Sequence, residues 1–505
     1  MTAAAQDIAV DRQSGFDLGA AVSRAFASRA AQFALFLLAS LATRVAMFGD
    51  TNYHSDELLY FTIGQRMHEG LLPYVDMWDR KGPGLFLTYA GIAAFSSAVV
   101  AYQFAAALFA ATTAFVVNMI AERSAGRVGA ILAGLLYLAM LPLFGGGGGQ
   151  APVFYNLFVA LSALGVMSGI GDLREGRIPP RVWLSMASAG FAITFKLTAA
   201  VEGVFLGCFV LWQLSRAVSP AALFRSGFRL AAAGAAPMVL FALFYAGIGH
   251  FAEFWHALVT SNLDKAYDAD NDAAARLRAL AIIASPALLP AIARLALLRN
   301  APYRPFLAGW LAAAFVGFAL VPNYIDHYAL PLMLPLAVMA APALEWRRAG
   351  PVFAIFVIVF AWMVGPTHDF AKHRESRAAM ARIVDEIRAR DAAPRLFVYQ
   401  GPNYLNTLAG SHPPSPLTFP AHLFHRPEND VSHLDTGEET DRILDWRPSV
   451  VIKAAEFPEG ALNLETSRKV NAYVEGCRLW FTREVIDYYS RYDVQIYGDC
   501  AKGRD

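Results

Sequence analysis

The chain has 505 residues, 56% apolar and 16% charged, against about 45–50% and about 25% in a soluble domain, and its mean hydropathy is +0.39. That composition excludes a soluble enzyme, a disordered protein and a disulfide scaffold. With 42 basic and 41 acidic residues the formal charge is +1, so bulk electrostatics points to no nucleic-acid partner.

Residues 1–30 are small and polar, with Arg12, Arg24 and Arg29. They are too weakly apolar for a cleaved leader and read as a cytoplasmic segment. Apolar runs follow at 31–48, 101–121, 128–144, 151–170, 182–195, 199–214, 230–248, 279–298, 306–321, 328–343 and 352–364. A membrane helix takes about 20 such residues, and these runs predict a polytopic α-helical membrane protein of about eleven spans. Residues 84–100 are a twelfth span or an interfacial helix. Charge decides, because short cytoplasmic loops carry excess Lys and Arg. With the N-terminus inside, one set of loops holds Arg123, Arg127, Arg174, Arg177, Arg181, Arg216, Arg347 and Arg348, while the other holds few basic residues among many acids. A full span at 84–100 would put Arg123 and Arg127 outside, so that stretch is taken as interfacial. The transmembrane module is then 31–366, with a first outer loop at 49–100.

The odd span count places 367–505 outside. Residues 376–390 read as an amphipathic helix, 395–400, 449–453 and 494–497 as strands, and 466–474 as a helix, giving a small extracytoplasmic α/β domain. Cys208 lies within a span. Cys477 and Cys500 share the tail, in a compartment that permits a disulfide between them.

The first outer loop carries the densest polar information. It contains His54-Ser55-Asp56-Glu57-Leu58-Leu59-Tyr60-Phe61, then Pro73-Tyr74-Val75-Asp76-Met77-Trp78-Asp79-Arg80-Lys81-Gly82-Pro83-Gly84. Two readings of the adjacent acids are open. A carboxylate just past a span can take a proton from a sugar hydroxyl or hold a metal; alternatively, Ser55 or Asp56 caps the helix that follows. These segments resemble the first outer loop of GT-C glycosyltransferases of the protein O-mannosyltransferase and lipid A aminoarabinose transferase group, with Gly82 where that group carries a further proline. The likeness continues in order through residues 190–196, ending at Lys196, through Asn323-Tyr324-Ile325-Asp326-His327-Tyr328, and through the strand at 396–401.

The resemblance implies an enzyme that moves one sugar, hexosyl or pentosyl, from a polyprenyl-phosphate donor to an acceptor on the outer side of the bilayer: lipid A, a polysaccharide or a protein. Asp56 is then the catalytic base of an inverting displacement, and Glu57 is a second base or orients Asp56. Arg80, Lys81, Lys196 and His327 are the candidate phosphate contacts. Arg80 and Lys81 have the alternative of snorkelling to the interface, and Glu202 is within reach as a partner for Lys196. His54, Asp76, Asp79, Tyr324 and Tyr328 are candidate substrate contacts. No cofactor is required with certainty. A divalent cation stays open, although the group often has another acid where this chain has residues 150–156 without one.

Three other stretches stand out. Residues 145–149 are five glycines with no Gly-Lys-Ser/Thr, hence not a phosphate loop, and read as a turn. Residues 249–276 mix acids and aromatics that suit either carbohydrate contact or a solvated interfacial helix. Residues 404–425 hold prolines with His412, His422 and His425, and can lie over the site. The alternative function is a lipid-linked glycan transporter or flippase, which would keep ionisable groups near the bilayer midplane; here the acids gather at the outer rim.

Overall fold

An apolar run excluded from water closes its backbone hydrogen bonds internally, so each predicted run is expected as a helix. In the computed structural model, which describes residues 26–264, 272–297, 301 and 303–500, each of the eleven runs carries one: Arg29–Ala42, Val99–Ala121, Arg127–Met140, Ala151–Arg174, Pro180–Ile193, Ala200–Leu214, Pro220–Gly247, Ala273–Leu297, Arg304–Ala319, Met333–Leu344 and Ala349–Val364. Residues 1–25 of the N-terminal segment and 265–271 of the acidic loop lie outside the described residues. Among the described residues seven helices are long and apolar enough to cross a membrane, and four further apolar ones are shorter. One of these four is Pro83–Ala93, whose 11 residues rise about 16 Å, well short of a hydrocarbon core of about 30 Å.

The outer surface of the bundle fits lipid. Helix Pro220–Gly247 leaves Phe224, Phe228, Leu240 and Leu243 exposed, and Ala349–Val364 leaves Phe356 and Met363 exposed. Patches of this extent are costly against water and neutral against acyl chains. At one end of the bundle Arg29 pairs with Glu122, Arg181 with Asp172, and Arg174 with Gln213. The tail sits on the other end.

The tail opens with helix Phe370–Arg390 and builds a four-stranded sheet from β1 (Leu396–Val398), β2 (Val450–Ala454), β3 (Arg478–Ile486) and β4 (Arg491–Gly498), in the order β1-β2-β4-β3. β1 and β2 are parallel; β4 runs antiparallel to both β2 and β3. β3 is an edge strand with a bulge between Leu479 and Phe481, and its short apolar run gives way to Thr482, Arg483 and Glu484, so no alternation announces it in the sequence. A disulfide between Cys477 and Cys500 joins the two open ends of the β3–β4 hairpin.

The sheet is anchored to the segment between the first two helices. Asp50 is almost fully buried and accepts from the Ser376 hydroxyl at 2.7 Å, with the His373 ring 2.7 Å from its other oxygen. Asn52 donates to the Ile486 carbonyl at 2.9 Å, and Arg377 to the Phe48 carbonyl at 3.0 Å. Removing a buried acceptor leaves its donors unsatisfied, at about 1–3 kcal/mol each. Asp50→Ala is therefore expected to destabilise the seat of the tail by several kcal/mol, read as a lower Tm of the detergent-purified protein. An unchanged Tm would show that the seat is held elsewhere.

Candidate functional site

Helix Ser55–Met67 starts at the polar centre of the molecule. His54 is its N-cap residue and makes no side-chain cap bond, while Asp56 and Glu57 stand in the first turn. The capping reading is thus corrected: neither Ser55 nor Asp56 is the cap. Free N–H groups of a first turn favour negative charge. Successive helical residues point about 100° apart, so the two carboxylates have different surroundings.

Asp56 is half-buried. Burial works against its charge, but Lys81, His54, His327 and a hydrogen bond from Gln150 outweigh it and hold the carboxyl well below the usual range. Glu57 faces inward, with neither oxygen hydrogen-bonded among the described residues. Burial pushes it up to about 8, the Asp56 charge adds to the shift, and the nearby Gly149 amide and Tyr102 pull against it.

The glycine run lies against Glu57. A side chain at Gly148 would collide with the Glu57 carboxylate, and one at Gly149 with the Tyr89 hydroxyl. Arg44, fully buried, donates to the Gly146 carbonyl at 3.0 Å, and Tyr89 to that of Gly149 at 2.7 Å. The run is a turn, as read, and also a surface that only glycine lets the acid approach.

Lys81 owes its place to its neighbours. Asp79 accepts from the Lys81 N–H at 2.7 Å, the Lys81 ammonium stands 5.2 Å from the centre of the Tyr60 ring, and Asp79 and Asp56 raise its pKa against the effect of burial. The Gly82 N–H donates to the Phe195 carbonyl at 3.1 Å and the Gly84 N–H to that of Thr194 at 2.9 Å. This clasp explains the departure at position 82, since a proline has no N–H to donate and a side chain there would strike the Thr194 carbonyl. It also brings Lys81 to the segment carrying Lys196, whose ammonium lies 3.8 Å from the centre of the Tyr328 ring. His327 is buried, with its ring centre 6.1 Å from that of His54. Asp56, Lys81, Lys196, His54, His327 and Tyr328 thus converge.

Other candidates do not join them. Arg80 is turned to the tail, where Glu428 accepts from it at 2.7 and 2.8 Å. Asp76 is exposed and accepts from the Leu72 N–H at 2.7 Å, closing a turn. Tyr324 packs its ring 5.3 Å from that of Phe318. Glu202, considered as a partner for Lys196, accepts from the Trp310 indole at 2.8 Å. In the segment 404–425, His422 packs on Trp78 at 4.7 Å between ring centres, over the first loop. Among the described residues no group of three or more His, Cys, Asp or Glu side chains is placed to hold a metal, so the cation left open by the sequence has no set of protein ligands there.

Three residues were missed. Gln150 stands with its amide nitrogen 3.1 Å from a His54 ring nitrogen. The turn of the β3–β4 hairpin contributes Tyr488, donating to Asp326 at 3.1 Å, and Tyr489, whose hydroxyl is 3.3 Å from the His54 Nε2. Paired tyrosines in a short turn between strands were the available signal.

No protein-family model and no curated protein matches the chain by sequence. Its fold is that of two solved structures. A crystal structure of ArnT from Cupriavidus metallidurans bound to undecaprenyl phosphate has 17% identity and a TM-score of 0.61, covering 92% of this chain and 97% of that one. The apo structure of the same protein has 16% identity and a TM-score of 0.62, covering 94% and 99%. The likeness establishes the architecture, that of the lipid A aminoarabinose transferase whose group the sequence motifs resemble.

The Glu57 shift has a consequence for stability. Below its ordinary value of 4.5 the group is protonated in folded and unfolded chains alike. Between 4.5 and about 8 only the unfolded chain releases the proton, so the folded state loses stability as pH rises through that window; above it the penalty is constant. Glu57→Gln is expected to flatten the fall in Tm between pH 5 and pH 9, and an unaltered Tm profile would contradict the shift.

Proposed function

We propose that the chain is an integral-membrane glycosyltransferase that moves a single sugar from a polyprenyl-phosphate donor to a cell-envelope acceptor at the outer face of the inner membrane. One observation carries this reading: a carboxylate, Asp56, gathered with Lys81, Lys196 and His327, the groups a lipid phosphate would need. The bound lipid in the ArnT crystal structure, undecaprenyl phosphate, is a donor's leaving group of the required kind.

In the proposed reaction the acceptor hydroxyl oxygen bonds to the anomeric carbon as the carbon–phosphate oxygen bond breaks. The electron pair leaves on the phosphate and the hydroxyl proton passes to Asp56. The phosphate departs as an anion, so it needs stabilisation by Lys81, Lys196 and His327 rather than a proton. This single displacement inverts the anomeric centre. Asp56 alone would be a weak base, because Lys81 lowers its pKa. A donor phosphate seated against Lys81 offsets part of that field, so the basicity of Asp56 rises when the donor is bound. Glu57, neutral at pH 7, leaves Asp56 as the charged partner of the pair.

The test is incubation of purified protein with several polyprenyl-phosphate sugars and measurement of released polyprenyl phosphate. A transporter of lipid-linked glycan would release none. Asp56→Asn keeps size and removes the proton acceptor, and is expected to lower transfer by about 10²–10⁴ with donor binding retained; near-normal turnover would overturn the assignment. The orientation has its own check. In a Cys208→Ser chain, single cysteines near Asp56 and Asp435 should label from outside intact cells, and one near Arg177 should not. Labelling of the Arg177 site alone would invert the topology.

A further inference from the structure

A second cavity, of about 400 Å³, opens between the tail and the start of the helix that carries Asp56. Its walls are aromatic: Phe419, Phe424, Phe457, Tyr489 and Tyr492 line it, with Phe424 and Phe457 packed edge to face at 4.9 Å between ring centres. Polar groups stand among the rings. They include Gln400 and the exposed Glu456, which has no hydrogen-bond or ionic partner among the described residues, and Asp487, which accepts from the Tyr489 and Ser490 amides at 2.9 and 2.8 Å. No lysine or arginine lines it.

Two residues join this cavity to the cluster already described. Ser55 is on its wall and precedes Asp56 in the chain. Tyr489 is also on its wall, and its hydroxyl reaches the His54 ring. The cations near Asp56, namely Lys81 and Lys196, take no part in the lining.

We propose that this cavity is the acceptor subsite and that it takes a pyranose unit, neutral or bearing an amine, with no phosphate on that unit. The inference rests on the transferase reading and narrows its acceptor. A pyranose presents C–H faces that stack on aromatic rings and hydroxyl edges that donate to carboxylates and amides. An all-anionic set of charges repels a phosphate and attracts an ammonium. The cavity also has room for one ring of that size. A unit seated there lies beside Ser55 and Tyr489, where one of its hydroxyls can be directed to Asp56.

Saturation-transfer NMR on the detergent-purified full chain tests this without turnover. The probes are methyl β-glucopyranoside, glucosamine and glucose 6-phosphate. The first two are expected to bind at about millimolar Kd and the third not at all. Phe457→Ala is expected to weaken binding about tenfold, the scale of one lost stacking contact. Glu456→Lys, on the exposed rim and so without a folding penalty, is expected to weaken glucosamine and admit glucose 6-phosphate. Binding of neither methyl β-glucopyranoside nor glucosamine to the folded protein, or binding of glucose 6-phosphate as tight as theirs, would overturn the subsite. So would sugar binding untouched by both substitutions. Either result leaves the release of polyprenyl phosphate from donor, and with it the transferase reading, standing or falling separately.

Discussion

A carboxylate at a membrane boundary stays charged only if cations offset what it loses in hydration. The field of Lys81 at Asp56 meets that condition, and much of the surrounding structure serves to maintain it. Lys81 is fixed by Asp79 behind it and by the backbone clasp of Gly82 and Gly84 on the end of helix Pro180–Ile193. That clasp brings in Lys196, the segment 326–328 adds His327 and Tyr328, and the tail adds Tyr489. A loop, a helix end and a hairpin distant in sequence thus meet at one charge.

Adjacent acids in one helical turn acquire opposite characters here. Asp56 looks toward Lys81, His54 and His327; Glu57 looks toward a wall of glycine backbone, where ionisation is disfavoured. If both were ionised they would repel each other across one turn. Placing one of them against residues 145–149 keeps the pair at a single negative charge near neutrality. The glycines and the dyad therefore form one device, although more than eighty residues separate them.

The helices of the bundle were legible because hydrophobic length is a local property, and each apolar run carries a helix. That Asp56, Lys81 and Lys196 come together was foreshadowed by motif order and by the cost of leaving charge near lipid. What failed was pairing across distance. Arg80 read as a phosphate contact because nothing nearby in sequence announces Glu428, 348 positions later. The same holds for Tyr489 and His54, 435 positions apart. Asp76 and Tyr324 shared motifs with true members of the cluster, but they point into local turns and packing that the motifs do not encode. β3 escaped because edge strands need no alternating pattern.

The hairpin turn that closes over His54 and Asp326 is made long after the helix it covers, with Tyr489 435 positions beyond His54. Helices inserted during synthesis are in place long before residues 488 and 489 emerge, since elongation proceeds at about 5–20 residues per second. Until the tail has folded and seated itself through Asp50, His373 and Ser376, the cluster around Asp56 stands without that wall. A nascent or truncated chain thus carries its charged residues in an unfinished chamber, open to water. Seating of the β3–β4 hairpin is the event that encloses it, and a loss of those strands would be felt at the start of the helix that carries Asp56.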